Sequence, residues 1–82
     1  MADQFSLRML KQGQRGVIRK VLARGELGRR IRDMGLVPGA QVLMMGRAPL
    51  KDPVEIKVRG YNLTLRNNEA DFIMVEPVDE PQ

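Results

Sequence analysis

The stretch that most restricts the fold is residues 26–39 (ELGRRIRDMGLVPG), where helical spacing interrupts a series of short strand-like segments. Leu27, Ile31 and Met34 recur at i, i+4 and i+7, which is the spacing of one face of a short helix. Gly35 follows directly, where a helix commonly ends on a left-handed residue. The stretch therefore predicts a helix of about two turns that covers one end of a small β-barrel.

The outer face of this predicted helix is strongly basic, because Arg29, Arg30 and Arg32 occupy the positions between its apolar residues. Pro38-Gly39 prevents the helix from resuming and turns the chain. Two interpretations stay open for the arginines. They are either solvated surface, which is the usual role of a charge run, or a face that binds a partner.

The remainder of the chain reads as short strands separated by turns. Imperfect alternation in the first long segment indicates a bend or a bulge, and Gly46 indicates a bulge or a tightly curved corner of the barrel. We expect a tight connection at residues 60–62, a capped turn at 67–70 with an asparagine as the cap, and a strand end at Pro77. The predicted strands cover residues 16–24, 40–48, 54–59, 63–66 and 72–76, after an apolar entry segment at 5–10.

These elements favour a mainly β fold with about five short antiparallel strands and one short α-helix. A sheet of this size must close or partly close to hide its edges. An SH3-like barrel fits best and an OB-like barrel second. We expect one domain over residues 1–82, ordered from about 5 to 76, with an acidic tail at 77–82.

The strand at residues 40–48 carries apolar side chains on both faces. Val42 and Met44 share one face, while Leu43 and Met45 share the other. A strongly curved barrel would bury parts of both faces. Alternatively, Leu43 and Met45 form a soft methionine-rich contact patch.

The composition excludes several classes of chemistry. The sequence has no Cys and no His, so it offers no disulfide, thiol nucleophile or usual ligand for zinc or iron. No phosphate-binding glycine motif or catalytic constellation is present, so we expect a protein that is not an enzyme, with no cofactor and no metal site. No apolar run is long enough to span or insert into a membrane. The absence of cysteine favours the cytosol.

Charge is distributed unevenly along the chain. Residues 1–66 hold all 14 basic residues and five acidic ones, a net charge of +9, whereas residues 67–82 hold five acidic residues and no base, a net charge of −5. The basic part suits an acidic partner, an anionic membrane surface or nucleic acid, and the acidic end, folded back, would mask some of it. Tyr61 is the only aromatic residue expected at the surface, so nucleic-acid binding is not expected.

The chain resembles the FeoA family, ferrous iron transport protein A. The resemblance runs from about Leu7 to Val75 and rests on several pieces in order: GELGRRIRDMGLVPG at 25–39, then GAQVLMM, then APLKDPVEIKVRGYNLTLRNNEA at 48–70, then I-x-V at 73–75. The family positions that shape its turns are Gly35, Leu36, Pro38, Gly39, Ala48, Pro49 and Pro53.

The resemblance implies an SH3-like barrel that acts as a small cytosolic accessory protein of FeoB, the GTPase-containing transporter of ferrous iron. It also implies transition-metal binding, a family property for which this sequence shows no ligands. For contact with a cytosolic part of FeoB, charge and apolar character favour Arg29, Arg30, Arg32, Leu43 and Met45. The alternatives are a nucleic-acid-binding barrel and a metal-responsive domain like the C-terminal domain of diphtheria-toxin-repressor-type proteins. The oligomeric state stays open.

Overall fold

The computed structural model describes residues 4–47 and 52–78, which form one antiparallel sheet with short helical segments. The strands follow the order β1-β6-β2-β3-β4-β5 across the sheet. The elements are β1 (Phe5–Ser6), a 3-10 turn (Leu7–Met9), β2 (Arg15–Val21), α1 (Gly25–Asp33), β3 (Gln41–Arg47), β4 (Val54–Val58), β5 (Tyr61–Leu65), α2 (Asn67–Ala70) and β6 (Ile73–Val78). The motif positions Ala48 and Pro49 lie outside the described residues.

The mainly β, antiparallel prediction is confirmed, but the element count is higher than expected. The described residues form six strands rather than five, because Phe5 and Ser6 pair with Val75 and Met74. Two residues are too few to show an alternating pattern, so the sequence gives no signal for this strand. The capped turn at 67–70 is a single helical turn, and α1 is therefore not the only helix.

The interior is aliphatic and is built by strict alternation in the central strands. Val54, Ile56 and Val58 point inward from β4, and Val42 and Met44 point inward from β3. Burying each such side chain stabilises the fold by about 1.5–3 kcal/mol. The register shifts after Ile18 in β2 and after Met44 in β3, so both predicted bulges are present. The bulges increase the local bend and help the sheet to curve around its core.

Helix α1 packs closely on the chain segment that leads into it from β2. Ile31 is fully buried, and Leu27 and Met34 pack partly buried against the core, as the helical spacing predicts. Gly28 is also buried, and a Cβ atom there would stand only 2.5 Å from the carbonyl oxygen of Ala23, which lies in this segment. Only glycine allows this approach, so Gly28 sets how closely the helix packs on the segment before it.

The C-terminal end of α1 is a Schellman motif. Gly35 has φ of +89° and donates from its amide to the Arg32 carbonyl at 2.9 Å, while the Leu36 amide donates to the Ile31 carbonyl at 3.2 Å. Leu36 and Ile31 are both fully buried, as the hydrophobic contact of this motif requires. The predicted role of Gly35 is confirmed, and Leu36 serves the core as well as the turn.

The hairpin between β4 and β5 turns one residue earlier than expected. Val58 pairs with Tyr61, so Arg59 and Gly60 are the two turn residues, with φ of +52° and +89°. Positive φ at both positions is typical of a type I′ turn, which matches the twist of the flanking strands. Arginine is an uncommon first residue for such a turn, and for that reason the sequence pattern pointed to residues 60–62 instead.

Strand β6 continues through Pro77 to Val78, so the prediction that Pro77 ends the strand is wrong. Pro77 pairs with Gly16 of β2. On the other side of β6, strand β1 pairs with Met74 and Val75 only, so Pro77 lies on an edge of the sheet. Proline is tolerated at an edge because no neighbouring strand needs its missing amide proton. Residues 77 and 78 therefore belong to the sheet and not to the acidic tail.

Candidate partner-binding surface

The three arginines of α1 are exposed, but their side chains differ in what they contact. The Arg30 guanidinium forms an ion pair with the carboxylate of Glu69, a residue of α2 whose side chain is largely buried. Arg29 and Arg32 form no ion pair with any described residue. Arg32 packs over Gly28, within contact distance of a Cβ atom placed there. The helix therefore presents two available cations and one that is already paired.

Two more acidic residues from the C-terminal part of the chain also pair with arginines of the basic part. Arg8 Nε lies 2.8 Å from Asp71 Oδ1, and Arg19 Nε lies 3.0 Å from Glu76 Oε1. The expectation that the acidic end folds back and masks part of the basic surface is confirmed. We call Arg8, Arg19 and Arg30 the paired arginines.

Leu43 lies in a groove on the outer face of the sheet. It stands directly opposite Arg15 of β2 on one side and Lys57 of β4 on the other. The groove has a volume of about 330 Å³, and Leu43 is the half-buried aliphatic residue between its cations. We call this surface the basic groove; its lining includes Arg15, Gln41, Leu43, Lys57, Arg59 and Gly60.

Met45 lies two residues further along the same face of β3 but lines a different groove, together with Gln12, Arg47 and Glu55. Leu43 and Met45 are both half-buried, which agrees with the interpretation that a curved barrel covers parts of both faces of β3. The structure thus places the two predicted contact residues on one strand face but in two separate depressions.

The end of α1 reaches the rim of the basic groove. The Tyr61 hydroxyl donates a hydrogen bond to the Met34 carbonyl at 3.2 Å. A Cβ atom on Gly35 would lie 3.3 Å from that hydroxyl and 3.4 Å from Cδ of Arg59, which lines the groove. The Schellman turn therefore packs against the β4–β5 hairpin and joins the helix surface to the groove.

The other family-motif positions within the described residues shape turns at the surface. Gly39 has φ of +95°, and its amide donates to the Ile18 carbonyl at 2.7 Å, which returns the chain to the sheet after Pro38. Pro53 is exposed and directly precedes β4. At α2, the Arg66 amide donates to Glu69 Oε1 and the Asn67 amide donates to Asp52 Oδ1, each at 2.9 Å. Carboxylates thus cap this turn, in place of the expected asparagine.

Several surface residues escaped the sequence analysis. Neither Lys57 nor Arg59 belongs to a motif or charge run that predicts binding, yet both line the basic groove. The prediction that Tyr61 is the only exposed aromatic residue is wrong, because Phe72 is 41% exposed against 47% for Tyr61. Phe72 follows the α2 turn and directly precedes the buried Ile73. Because side chains alternate between the two faces of a strand, this order already predicts that Phe72 faces outward.

The described residues offer no group of three or more His, Cys, Asp or Glu side chains that could hold a metal ion. The whole sequence lacks His and Cys, so the donor set does not fit a resident transition metal. Among residues 4–47 and 52–78, no helix is both long and apolar enough to cross a bilayer.

The curled antiparallel sheet and short covering helix define the class of small SH3-like domains. A structure of FeoA from Stenotrophomonas maltophilia in complex with zinc, described as a prokaryotic SH3 domain protein, matches with a TM-score of 0.77 and 28% identity over 87% of this chain and 88% of that one. The FeoA domain family model matches residues 5–77, and the chain belongs to this family. The FeoA family is involved in ferrous iron transport.

Two further relatives extend the comparison. An FeoA-like protein from Clostridium acetobutylicum superposes with a TM-score of 0.88 and 32% identity, covering 100% of this chain and 95% of that one. An Fe(2+) transport protein A/Fe(2+) transporter FeoB fusion protein of Porphyromonas gingivalis is 40% identical over 67 residues, which is 82% of this chain. The matched part spans only 8% of the length of the fusion protein.

Proposed function

We propose that this protein is a non-enzymatic accessory component of ferrous iron uptake that binds the cytosolic part of a FeoB-type transporter and modulates its activity. The observation that carries the proposal is the relative in which an FeoA portion and a FeoB portion form one chain. A covalent link raises the effective concentration of two modules that must meet, so fusion favours modules that bind each other. The cytosol is the proposed location, because that is where the transporter's GTPase part would be reached.

The surface proposed for this contact combines the outer face of α1 (Arg29, Arg30 and Arg32) with the outer face of β3 (Leu43 and Met45). Arg29 and Arg32 supply charge that no described residue neutralises. Leu43 and Met45 supply half-buried apolar surface nearby on the sheet. Mixed surfaces of this kind gain affinity from apolar contact and orientation from charge.

The test is calorimetric titration of the purified cytosolic part of the FeoB-type transporter with this protein. The double variant Arg29→Glu/Arg32→Glu should weaken binding about tenfold or more, since reversed charges oppose an acidic partner surface. Lys11→Glu/Lys20→Glu is the matched control, because both lysines are exposed and belong neither to α1 nor to β3. The control should bind within about twofold of the original protein, and both variants should keep its thermal stability.

Two results would contradict parts of the proposal. If the original protein shows no binding to the transporter part, the proposed function is wrong. If it binds and the helix variant binds equally well, the contact exists but does not use the outer face of α1.

A further inference from the structure

We propose that the basic groove is the docking site for an acidic peptide segment in extended conformation that carries one central aliphatic side chain. The inference rests on the proposed function, because in that complex the segment belongs to the cytosolic part of the transporter. It goes further by assigning the contact to Leu43, Lys57 and Arg59 and by stating the chemistry of the partner segment.

The charges of the groove favour an acidic occupant. Arg15, Lys57 and Arg59 line it, and none of its described lining residues is acidic. Lys57 and Arg59 form no ion pair with a described residue, in contrast to the paired arginines. Clustered cations of one sign raise the local concentration of an acidic partner and orient it, so the groove is electrostatically complementary to such a segment.

The position of Leu43 defines the apolar part of the occupant. Directly opposite residues on antiparallel strands have Cβ atoms about 4.5–5.5 Å apart, and Leu43 has Arg15 on one side and Lys57 on the other. In an extended peptide, side chains two residues apart lie on one face about 6.6 Å from each other. An aliphatic residue packed on Leu43 therefore directs a carboxylate two positions away from it towards Lys57.

The backbone at Arg59 supports a role for its side chain. Its φ of +52° lies in the left-handed region, which glycine and asparagine adopt more readily than arginine. The neighbouring Gly60 already has the matching φ of +89°. A residue chosen for turn geometry alone would be asparagine or glycine. The arginine therefore serves the surface that its side chain lines, and that surface is the basic groove.

The groove suits a peptide better than a single-stranded nucleic acid. Sequence-tolerant binding of single strands depends on aromatic side chains on which bases stack. None of the described residues that line the groove is aromatic. Tyr61 is the nearest aromatic residue in sequence, and its hydroxyl is bonded to the Met34 carbonyl at the end of α1.

The experiment is titration of isotope-labelled full-length protein with the synthetic peptide Ser-Glu-Ser-Leu-Ser-Glu-Ser, followed by amide chemical shifts. Saturable shifts centred on residues 41–43 and 57–60 are expected. Two matched peptides, one with both glutamates replaced by lysine and one with the leucine replaced by serine, should bind at least fivefold more weakly. Shifts centred elsewhere, or no saturable shifts, would overturn the proposal.

Variants of the protein test the same assignment. Lys57→Glu and Leu43→Ala should each weaken peptide binding at least fivefold, while Lys20→Glu and Leu22→Ala are the matched controls on exposed positions outside the groove. Equal loss in a variant and its control would overturn the assignment. An unstructured oligouridine that shifts the same amides at lower concentration than the peptide would also overturn it, in favour of nucleic acid.

The transporter titration separates this inference from the proposed function. If Lys57→Glu binds the transporter part as the original protein does, while the helix variant Arg29→Glu/Arg32→Glu does not, the groove inference fails and the proposed function stands. If the peptide binds the groove but no form of the protein binds the transporter part, the proposed function fails and the groove has an acidic partner of another kind.

Discussion

The paired arginines and the cations of the basic groove are the same type of residue on the same small domain, but they have opposite surroundings. Arg8, Arg19 and Arg30 each contact a carboxylate from the last third of the chain. Lys57 and Arg59 face no acidic residue among those that line their groove. Among the described residues, the acidic end of the sequence thus neutralises the paired arginines and forms no ion pair with Lys57 or Arg59.

This difference indicates which part of the net positive charge is structural. Exposed ion pairs contribute only about 0–1 kcal/mol each to stability, so pairing mainly removes charge that would otherwise attract unspecific partners. Lys57 and Arg59 form no ion pair with a described residue, so they cost the fold little and can be used in binding. Helix α1 lies between the two sets, because Arg30 contacts Glu69 while the turn after the helix contacts Arg59.

Gly28→Ala should have the largest effect on stability. A shift of α1 would disturb both the Arg30–Glu69 ion pair and the contact between the turn after α1 and Arg59. A Cβ atom would meet the backbone oxygen of Ala23 at 2.5 Å, so α1 or the segment that leads into it must shift. We expect a loss of about 3 kcal/mol in the free energy of unfolding, measured by urea denaturation. Gly46→Ala is the matched control, because its Cβ would meet only the Gln12 side chain at 3.8 Å or more. Equal stability of both variants would show that the close approach at Gly28 is not needed.

Glu69→Ala should have the next largest effect. It removes the partner of Arg30 and leaves the ion pairs of Arg8 and Arg19 in place. Glu69 accepts a hydrogen bond from the Arg66 amide at 2.9 Å and pairs with Arg30 through its other oxygen, with only 15% of the side chain exposed. Its loss should cost about 2 kcal/mol.

Glu76→Ala is the comparison for Glu69→Ala. The Glu76 carboxylate pairs with a half-exposed arginine, so its removal should cost about 0.5 kcal/mol. Urea denaturation of both variants checks the difference. Similar costs would mean that the cap on α2 adds nothing beyond the ion pair.

Arg59→Asn should have the smallest effect and the opposite sign. It creates an Asn-Gly turn at two positions of positive φ, so we expect a gain of about 1 kcal/mol in stability. The same change removes a cation from the basic groove and should weaken peptide binding. Lys57→Asn is the control, since it removes a charge from an ordinary strand position and should bring no stability. A less stable Arg59→Asn protein would contradict the view that the arginine is kept for its side chain.

Local patterns were sufficient to predict much of the fold. The apolar spacing of Leu27, Ile31 and Met34 predicted α1, and the alternation of Val54, Ile56 and Val58 predicted β4. Gly35 was assigned correctly to the end of α1, because a left-handed residue there has a strong sequence signal. These features depend on residues a few positions apart, which sequence periodicity reports directly.

Features that join distant parts of the chain could not be predicted in this way. Arg30 and Glu69 are 39 residues apart in sequence. The basic groove requires knowing that Arg15, Leu43 and Lys57 stand side by side on three strands. The sequence identifies the cations but not the residues that lie beside them in the fold. Those residues decide which cations are available for binding.

The position of β6 has a consequence for how the domain reaches its native state. The last strand of the chain lies between β1 and β2, the first two. Those early strands cannot complete their pairing until β6 has been synthesised. Pairing β6 with β1 and β2 therefore closes long loops. Because the chain loses the entropy of loop closure before the new contacts form, this topology favours slow folding. A ribosome-bound chain that lacks β6 would expose the unpaired edge of β2, the situation in which small β domains are most prone to aggregate.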